Sequence, residues 1–388
     1  MNFTKSFTQQ EPIAEDAIEA AVAVMRSGRL HRYNTAPGEE SETAALEREF
    51  AEWQGVDFAL AVTSGGQAMQ IALRAAGVKP GDKVLTNAFT LAPVPGAIAA
   101  VGAQPIFVET TADLVIDLDD LAAKAAGAEV LLLSHMRGHL ADMDALSRLC
   151  CSHGIKIIED CAHTMGAEWA AKKSGNFGYA ACFSNQTYKH INSGEGGFLT
   201  SKNAEFMARA TILSGSYMLY PRHGAGPDEA AYAEARRQMP NCSARMDNLR
   251  AALLRPQLKT LDTNIVRWNE RHDALRQALA HLHLPAAPNE ALRVGSSFQF
   301  FVPEGWDADA IRAFVARCGE RGVELKWFGD AEPVGFTSRY DSWGYAPKQE
   351  LPRTINILHR LIDMRVPLSF DVEDCRLIAA IIAEEVAA

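Results

Sequence analysis

What most constrains this chain is an alternation in its first half. Short, wholly apolar runs are separated by segments of helical periodicity. FALAV at 58–62, DKVLT at 82–86, QPIFVE at 104–109, EVLLLS at 129–134 and IKIIED at 155–160 read as strands. TAALEREFAEW at 43–53, GGQAMQIALRAAG at 65–77 and DMDALSRLCCSHG at 142–154 read as helices. Strands with no polar face must be covered on both sides, and interleaved helices are the cover a parallel α/β sheet uses. After about residue 240 the pattern changes. RMDNLRAALLRPQLKTLDTNIVRWNERHDALRQALAHL predicts a long helix, with Pro256 as a break or bend. SSFQFFV at 296–302 and VELKW at 323–327 read as strands, and 308–322 and 371–386 as helices. The expectation is an α/β fold with a large, mostly parallel sheet domain over 1–250 and a smaller α+β domain over 251–388. Segment 215–240, rich in Gly, Pro and Tyr, reads as a long ordered loop.

Composition excludes several classes. With 48% hydrophobic and 22% charged residues, the chain has the apolar content to fold. Acidic residues outnumber basic ones, 48 to 38, so no overall positive field calls for nucleic acid or anionic membrane. The longest apolar stretch, Ala92 to Val101, is interrupted by Pro93, Pro95 and Gly96, too soon to span a bilayer. The first residues lack a signal-peptide core, and the reading is a cytoplasmic protein. Seven scattered cysteines with no Cys-x-x-Cys pair predict reduced thiols and no zinc site. His139, His153, His281 and His283 lack partners at ligand spacing, so no metal is expected.

Three features carry chemistry. Asp160 ends the run IKIIED, at the strand end where ligands gather in open parallel sheets. Lys189 follows 29 residues later, on the glycine-rich loop SNQTYKHINSGEGG after the strand YAACF. Alone, the aspartate reads as a turn cap and the lysine as a solvated charge. Together they suit pyridoxal phosphate: the amine forms a Schiff base with the aldehyde, and the carboxylate keeps the pyridine nitrogen protonated. TSGGQAMQ at 63–70, between a strand and a helix, offers amides and a helix N-terminus to a phosphate.

In this order, these segments resemble the DegT/DnrJ/EryC1/StrS family of pyridoxal phosphate enzymes, of aspartate aminotransferase-like fold type I. RSGRLHRYN at 26–34, EREFAEWQGVDFALAVTSGGQAM at 47–69, VGAQPIFVE at 101–109 and HMRGHLADMDAL at 135–146 are similar to its landmarks. So are IIEDCAHTMGAEW at 157–169, FGYAACFSNQTYKHINSGEGGFLTS at 177–201, ARMDNLRAALLRPQLKTLD at 244–262 and VPLSF at 366–370. The resemblance implies that Lys189 is the Schiff-base residue and that Asp160 pairs with the ring nitrogen. It places His163 near the 3-hydroxyl, Ser184 on the phosphate, and Gly65 and Gly66, with Gln67 beside them, at the phosphate turn.

Four departures stand out. Gly66 replaces the usual threonine. Where a ring-stacking aromatic is usual, the chain has Thr90-Leu91 after Phe89, so either Leu91 or Phe89 covers the ring. The partner-chain asparagine corresponds to Ser243, with Asn241 close by. Arg137 stands where an aromatic is common, and is either a substrate contact or a structural ion pair. The stretch KWFGDAEPVGFTSRYDSWGY at 326–345 is also unlike the family's usual segment. Its Arg339 and aromatics read either as a substrate or interface surface or as small-domain core.

The activity implied is transamination from glutamate or glutamine to a keto sugar, often nucleotide-linked, or a related ketone. The alternatives are a sugar dehydratase, which would carry histidine in place of Lys189, and a non-catalytic cofactor-binding sensor. The partners implied are small molecules and a second copy of the chain, in a homodimer whose 241–245 segments reach each other's phosphate sites.

Overall fold

The computed structural model describes residues 2–388. Its strands are β1 (Phe58–Val62), β2 (Lys83–Asn87), β3 (Gln104–Val108), β4 (Ala128–Ser134), β5 (Lys156–Asp160), β6 (Glu168–Trp169) and β7 (Lys172–Lys173). They continue as β8 (Ala180–Ser184), β9 (Gly197–Ser201), β10 (Ala291–Leu292), β11 (Ser297–Phe301), β12 (Lys326–Trp327) and β13 (Leu361–Arg365). Seven of them form the main sheet, in the order β1-β9-β8-β5-β4-β2-β3. β2, β3, β4, β5 and β8 pair in parallel, and only β9 runs against its neighbours.

The apolar runs are explained by two cores, one on each face of this sheet. Successive side chains of a strand point to opposite faces. Thus Ala59, Ala61, Leu131 and Leu133 enter one core, and Leu60, Val62, Val130 and Leu132 the other.

A third core belongs to the sheet β11-β13-β12 and its helices, where Phe298, Phe300, Ile362 and Met364 meet Ile378 and Ile382. Phe3 and Phe7 join this core, so the first residues of the chain pack with the last. The helix Asn248–Ala278 serves two cores, lending Leu254, Leu258 and Leu261 to the main one and Ala274 and Leu275 to the third. Of the break or bend expected at Pro256, there is no break: the helix continues through it. Proline there forfeits one backbone hydrogen bond, and buried residues on both sides of it hold the helix together. VELKW contributes only the two-residue strand β12.

The proline-rich stretch is itself a helix, Pro93–Ala100. Pro93 and Pro95 sit in its first turn, where backbone N–H groups have no intrahelical acceptor to lose. Among the described residues no helix is long and apolar enough to cross a membrane.

Two contacts tie distant segments to this frame. Arg32 makes two 2.9 Å hydrogen bonds to Glu47, both residues almost completely buried, and His223 of the long loop lies against the pair. The exposed backbone of edge strand β3 is partly capped by Gln349, which accepts from the Phe107 amide at 2.9 Å. Tyr340, Trp343 and Leu351 pack nearby on Phe107.

Candidate active site

β4, β5 and β8 are adjacent and parallel, so their C-terminal ends open on one side, and the helix Gly65–Ala75 starts beside them. The opening is a cavity of about 440 Å³. Gly65, Gly66, Leu91, Arg137, Asp160, His163, Ser184 and Lys189 all line it. Residues 120 or more apart in sequence are thus brought to one chamber by strand order alone.

Lys189 Nζ lies 2.8 Å from His163 Nε2. The Arg137 amide donates to His163 Nδ1 at 3.4 Å. That contact leaves the imidazole proton on Nε2, where it donates to the amine, so the lysine is read as neutral. The electrostatics agree. Burial, then the Arg137 charge, push the Lys189 amine down to about 7, with Asp160 opposing. Burial, reinforced by the Lys189 charge, holds His163 well below the usual histidine range.

Asp160 is buried, and burial raises its carboxyl above the ordinary range. It accepts from the Ala162 amide and from Ser134 Oγ, both at 3.2 Å, and among the described residues no cation touches it. Such a carboxylate is preorganised for a cationic N–H donor arriving in the cavity.

At the other end, Ser64 caps the helix by accepting from the Gln67 amide at 3.1 Å. The Gly65 and Gly66 amides precede the first intrahelical bond and have no acceptor within the helix. A Cβ on Gly65 would lie 2.9 Å from Ser184 Cβ, so glycine is required for the turn to reach that hydroxyl. This cradle fits a phosphate, and Asp160 and Lys189 fit the ring nitrogen and aldehyde of pyridoxal phosphate.

Other expected residues lie elsewhere. Gln67 acts here only through its capping amide and does not line the cavity. Arg339 is outside it, bound to both carboxylate oxygens of Asp341 and to the Gly329 carbonyl, which leaves it no free fork for a substrate. Asn241 and Ser243 are exposed and bond to each other, away from this chain's own cavity. Arg137 makes an ion pair, with Asp363 at 2.7 Å, and it also lines the cavity. Phe89 is buried edge-on against Phe328, which leaves Leu91 at the cavity wall. Of the late aromatics, Trp327, Phe328, Tyr340 and Trp343 are buried, whereas Phe336 is 64% exposed and lines the cavity.

The sequence reading missed Ser134, Tyr188, Trp268 and Arg365, which also line the chamber. Two had a signal: Tyr188 precedes Lys189, and Arg365 precedes the VPLSF landmark.

His135, Glu159 and Cys161 form a buried group with the spacing of metal ligands. Glu159, however, accepts from His135 and from the Gly175, Phe177 and Gly178 amides, all within 3.0 Å. Four donors saturate its two oxygens, and the group reads as a brace for the β5–β8 connection.

Comparison with known proteins identifies the family. Residues 11–383 match the model of the DegT/DnrJ/EryC1/StrS aminotransferase family. The chain is 34% identical over 365 residues to the dTDP-3-amino-3,4,6-trideoxy-alpha-D-glucose transaminase of Streptomyces venezuelae, covering 90% of this chain and 86% of that one. It is 31% identical over 311 residues to the L-glutamine:2-deoxy-scyllo-inosose aminotransferase of Streptomyces lividus, covering 78% and 73%. The crystal structure of 3-amino-5-hydroxybenzoic acid synthase superposes with a TM-score of 0.83 at 26% identity, covering 99% and 98%. The fold is pyridoxal phosphate fold type I, with the sheet domain large and mostly parallel. With the family model matched over residues 11–383 and a relative 34% identical over 90% of the chain, the chain belongs to the DegT/DnrJ/EryC1/StrS aminotransferase family.

Proposed function

We propose that this aminotransferase moves an amino group from glutamate or glutamine to a keto sugar or cyclitol ketone, with Lys189, Asp160 and His163 as its catalytic residues. The observation that carries the assignment is the buried Lys189 amine, 2.8 Å from His163 Nε2 and pushed down to about 7 by burial, in a cavity that Asp160, Gly65, Gly66 and Ser184 also line. Bound there, pyridoxal phosphate supplies a carbonyl that holds the amino group and a cationic ring that withdraws electrons. Gly65, Gly66 and Ser184 bind its phosphate. Asp160 holds the proton on the ring nitrogen. His163 orients the Lys189 amine, which as a neutral base near pH 7 can take a proton from the donor carbon and return it. Leu91 closes one wall of the cavity and helps to exclude water.

The substrate class follows the relatives, which act on a keto cyclitol and a dTDP-linked sugar. A lysine at position 189 favours transamination over the dehydratase alternative. We also take the enzyme to be a cytoplasmic homodimer, with residues 1–250 as the cofactor domain and 251–388 as the small domain. In it the exposed 241–245 segment would serve the partner's phosphate.

The test is borohydride reduction of the cofactor-loaded protein, followed by peptide mapping. Label on Lys189, and its loss with cofactor absorbance in Lys189→Ala, is the expected result; label on Lys172 or Lys173 would overturn the assignment. For the shared site, Lys189→Ala is mixed with a 241–245 variant. Recovery of activity after subunit exchange is expected, and an active monomer in sedimentation would count against the dimer.

A further inference from the structure

Arg137 is clamped by residues far from it in sequence. Its backbone is left-handed, with φ 56° and ψ 23°, a conformation that is costly for any residue with a Cβ. Such a residue keeps that shape only where its surroundings over-determine it. The Arg137 carbonyl accepts from Ser297 Oγ at 3.3 Å and from Arg293 Nη2 at 3.4 Å. Its guanidinium lies 2.7 Å from Asp363 Oδ2. This contact is ionic: it is close, yet not aligned as a hydrogen bond.

Asp363 is completely buried in the sheet β11-β13-β12 and does not line the cavity. Its other oxygen accepts from Gln299 Nε2 at 2.8 Å, and Gln299 Oε1 is held by His139 Nε2 at 2.8 Å. Burial pushes His139 down to about 3, so that link is neutral and leaves the carboxylate charge to Arg137. Lys326 stands across from Asp363 in the strand register, but its buried amine has no hydrogen-bond partner among the described residues. From Arg137 the contacts run on to the site. Its amide meets His163 Nδ1 at 3.4 Å, and His163 Nε2 lies 2.8 Å from Lys189 Nζ. The charges facing Lys189 are Asp160 from β5, Arg137 from the turn after β4 and Arg365 from β13, with His163 and His190 beside it. Those facing Asp363 are Arg137, Lys326 and Arg365.

We propose that Asp363 is a positioning residue for the Lys189 amine, acting through Arg137, whose guanidinium it holds beside the cavity and partly neutralises. The inference rests on the reading of Lys189 as the reacting amine. It adds that a carboxylate on another sheet, which never meets the substrate, sets the strength of that base. The sign follows from the pair. An arginine beside a carboxylate repels an ammonium less than a bare arginine does. Asp363 therefore keeps the amine from falling further than burial and Arg137 already take it.

The test is competitive acetylation of the apoprotein with acetic anhydride across pH, followed by peptide mapping, which titrates Lys189 without cofactor or substrate. Asp363→Asn keeps the shape and removes the charge. Asp363→Ser is the second neutral variant should the first fail to fold, and Asp363→Glu keeps the charge. The neutral variants should bring the Lys189 midpoint about half to one pH unit below wild type, with Asp363→Glu closer to wild type. At pH 6 Lys189 should then label about two- to fivefold faster. A merely structural role predicts the opposite sign: water entering a loosened cavity relieves burial, and the midpoint rises toward 10.5. A midpoint that is unmoved or rises, or an Asp363→Glu midpoint that falls as far as the neutral ones, overturns the proposal. If borohydride labels another lysine of the cofactor-loaded enzyme, the functional reading fails instead, and the acetylation titration still reports on Asp363 and Lys189.

Discussion

The depressed Lys189 amine makes a quantitative prediction about how fast the apoprotein captures its cofactor. Only the neutral amine attacks an aldehyde. At pH 7 a lysine of ordinary pKa 10.5 is neutral in about one molecule in 3,000, whereas an amine titrating at about 7 is neutral in about half. The cavity therefore supplies roughly a thousandfold more nucleophile at neutral pH than a surface lysine does. The rate of pyridoxal phosphate capture, followed by stopped-flow absorbance, should rise with pH along a single titration centred near 7 and level off above about 8. Arg137 is the largest charge holding the amine down. Arg137→Gln also leaves Asp363 without its 2.7 Å partner, adding a bare carboxylate nearby. Both effects favour the protonated amine, so the midpoint should move to higher pH and capture at pH 7 should slow. A wild-type midpoint above about 9, or a midpoint that Arg137→Gln leaves unmoved, would refute the reasoning.

Three further outcomes follow from other parts of the structure. Because the folded pKa of Lys189 lies below its unfolded value of 10.5, the native apoprotein binds fewer protons than the unfolded chain, and its stability should rise from about pH 7 toward 10.5. Denaturant titrations should show that slope in the wild type and a weaker one in Lys189→Met. Burial alone would raise the Glu47 carboxyl, but Arg32 and His223 hold it down to about 2, so its contribution is complete above about 4.5 and disappears as pH falls through 2. Glu47→Gln should cost about 3–5 kcal/mol at pH 7 by urea unfolding, since it strands buried Arg32, and much less near pH 2. Gly66→Thr restores the hydroxyl common at the phosphate turn, and a Cβ there meets only Ser64 Oγ at 3.8 Å. It should tighten cofactor binding about three- to tenfold in a spectroscopic titration, within the range for a hydrogen bond to a charged group.

The sheet was legible in the sequence because strands buried on both faces cannot be polar on either. FALAV, EVLLLS and IKIIED announce themselves without any knowledge of their neighbours. The candidate cofactor groups were locatable for a related reason: Asp160 ends β5, Gly65-Gly66 open the helix after β1, and Lys189 lies on the loop between β8 and β9, places that local pattern can find. Pro256 marks no break because a proline's meaning depends on its position in a helix and on the packing that supports it, and only the folded chain supplies both. Which arginine keeps its donors free was beyond sequence for a deeper reason. Arg339 and Arg365 are chemically identical, but Asp341 lies two residues from the first and satisfies it, while the second meets only two rings from distant segments. Whether a charge is already spent is a property of its three-dimensional neighbours, and tertiary structure alone decided which of the two faces the cavity with its donors free.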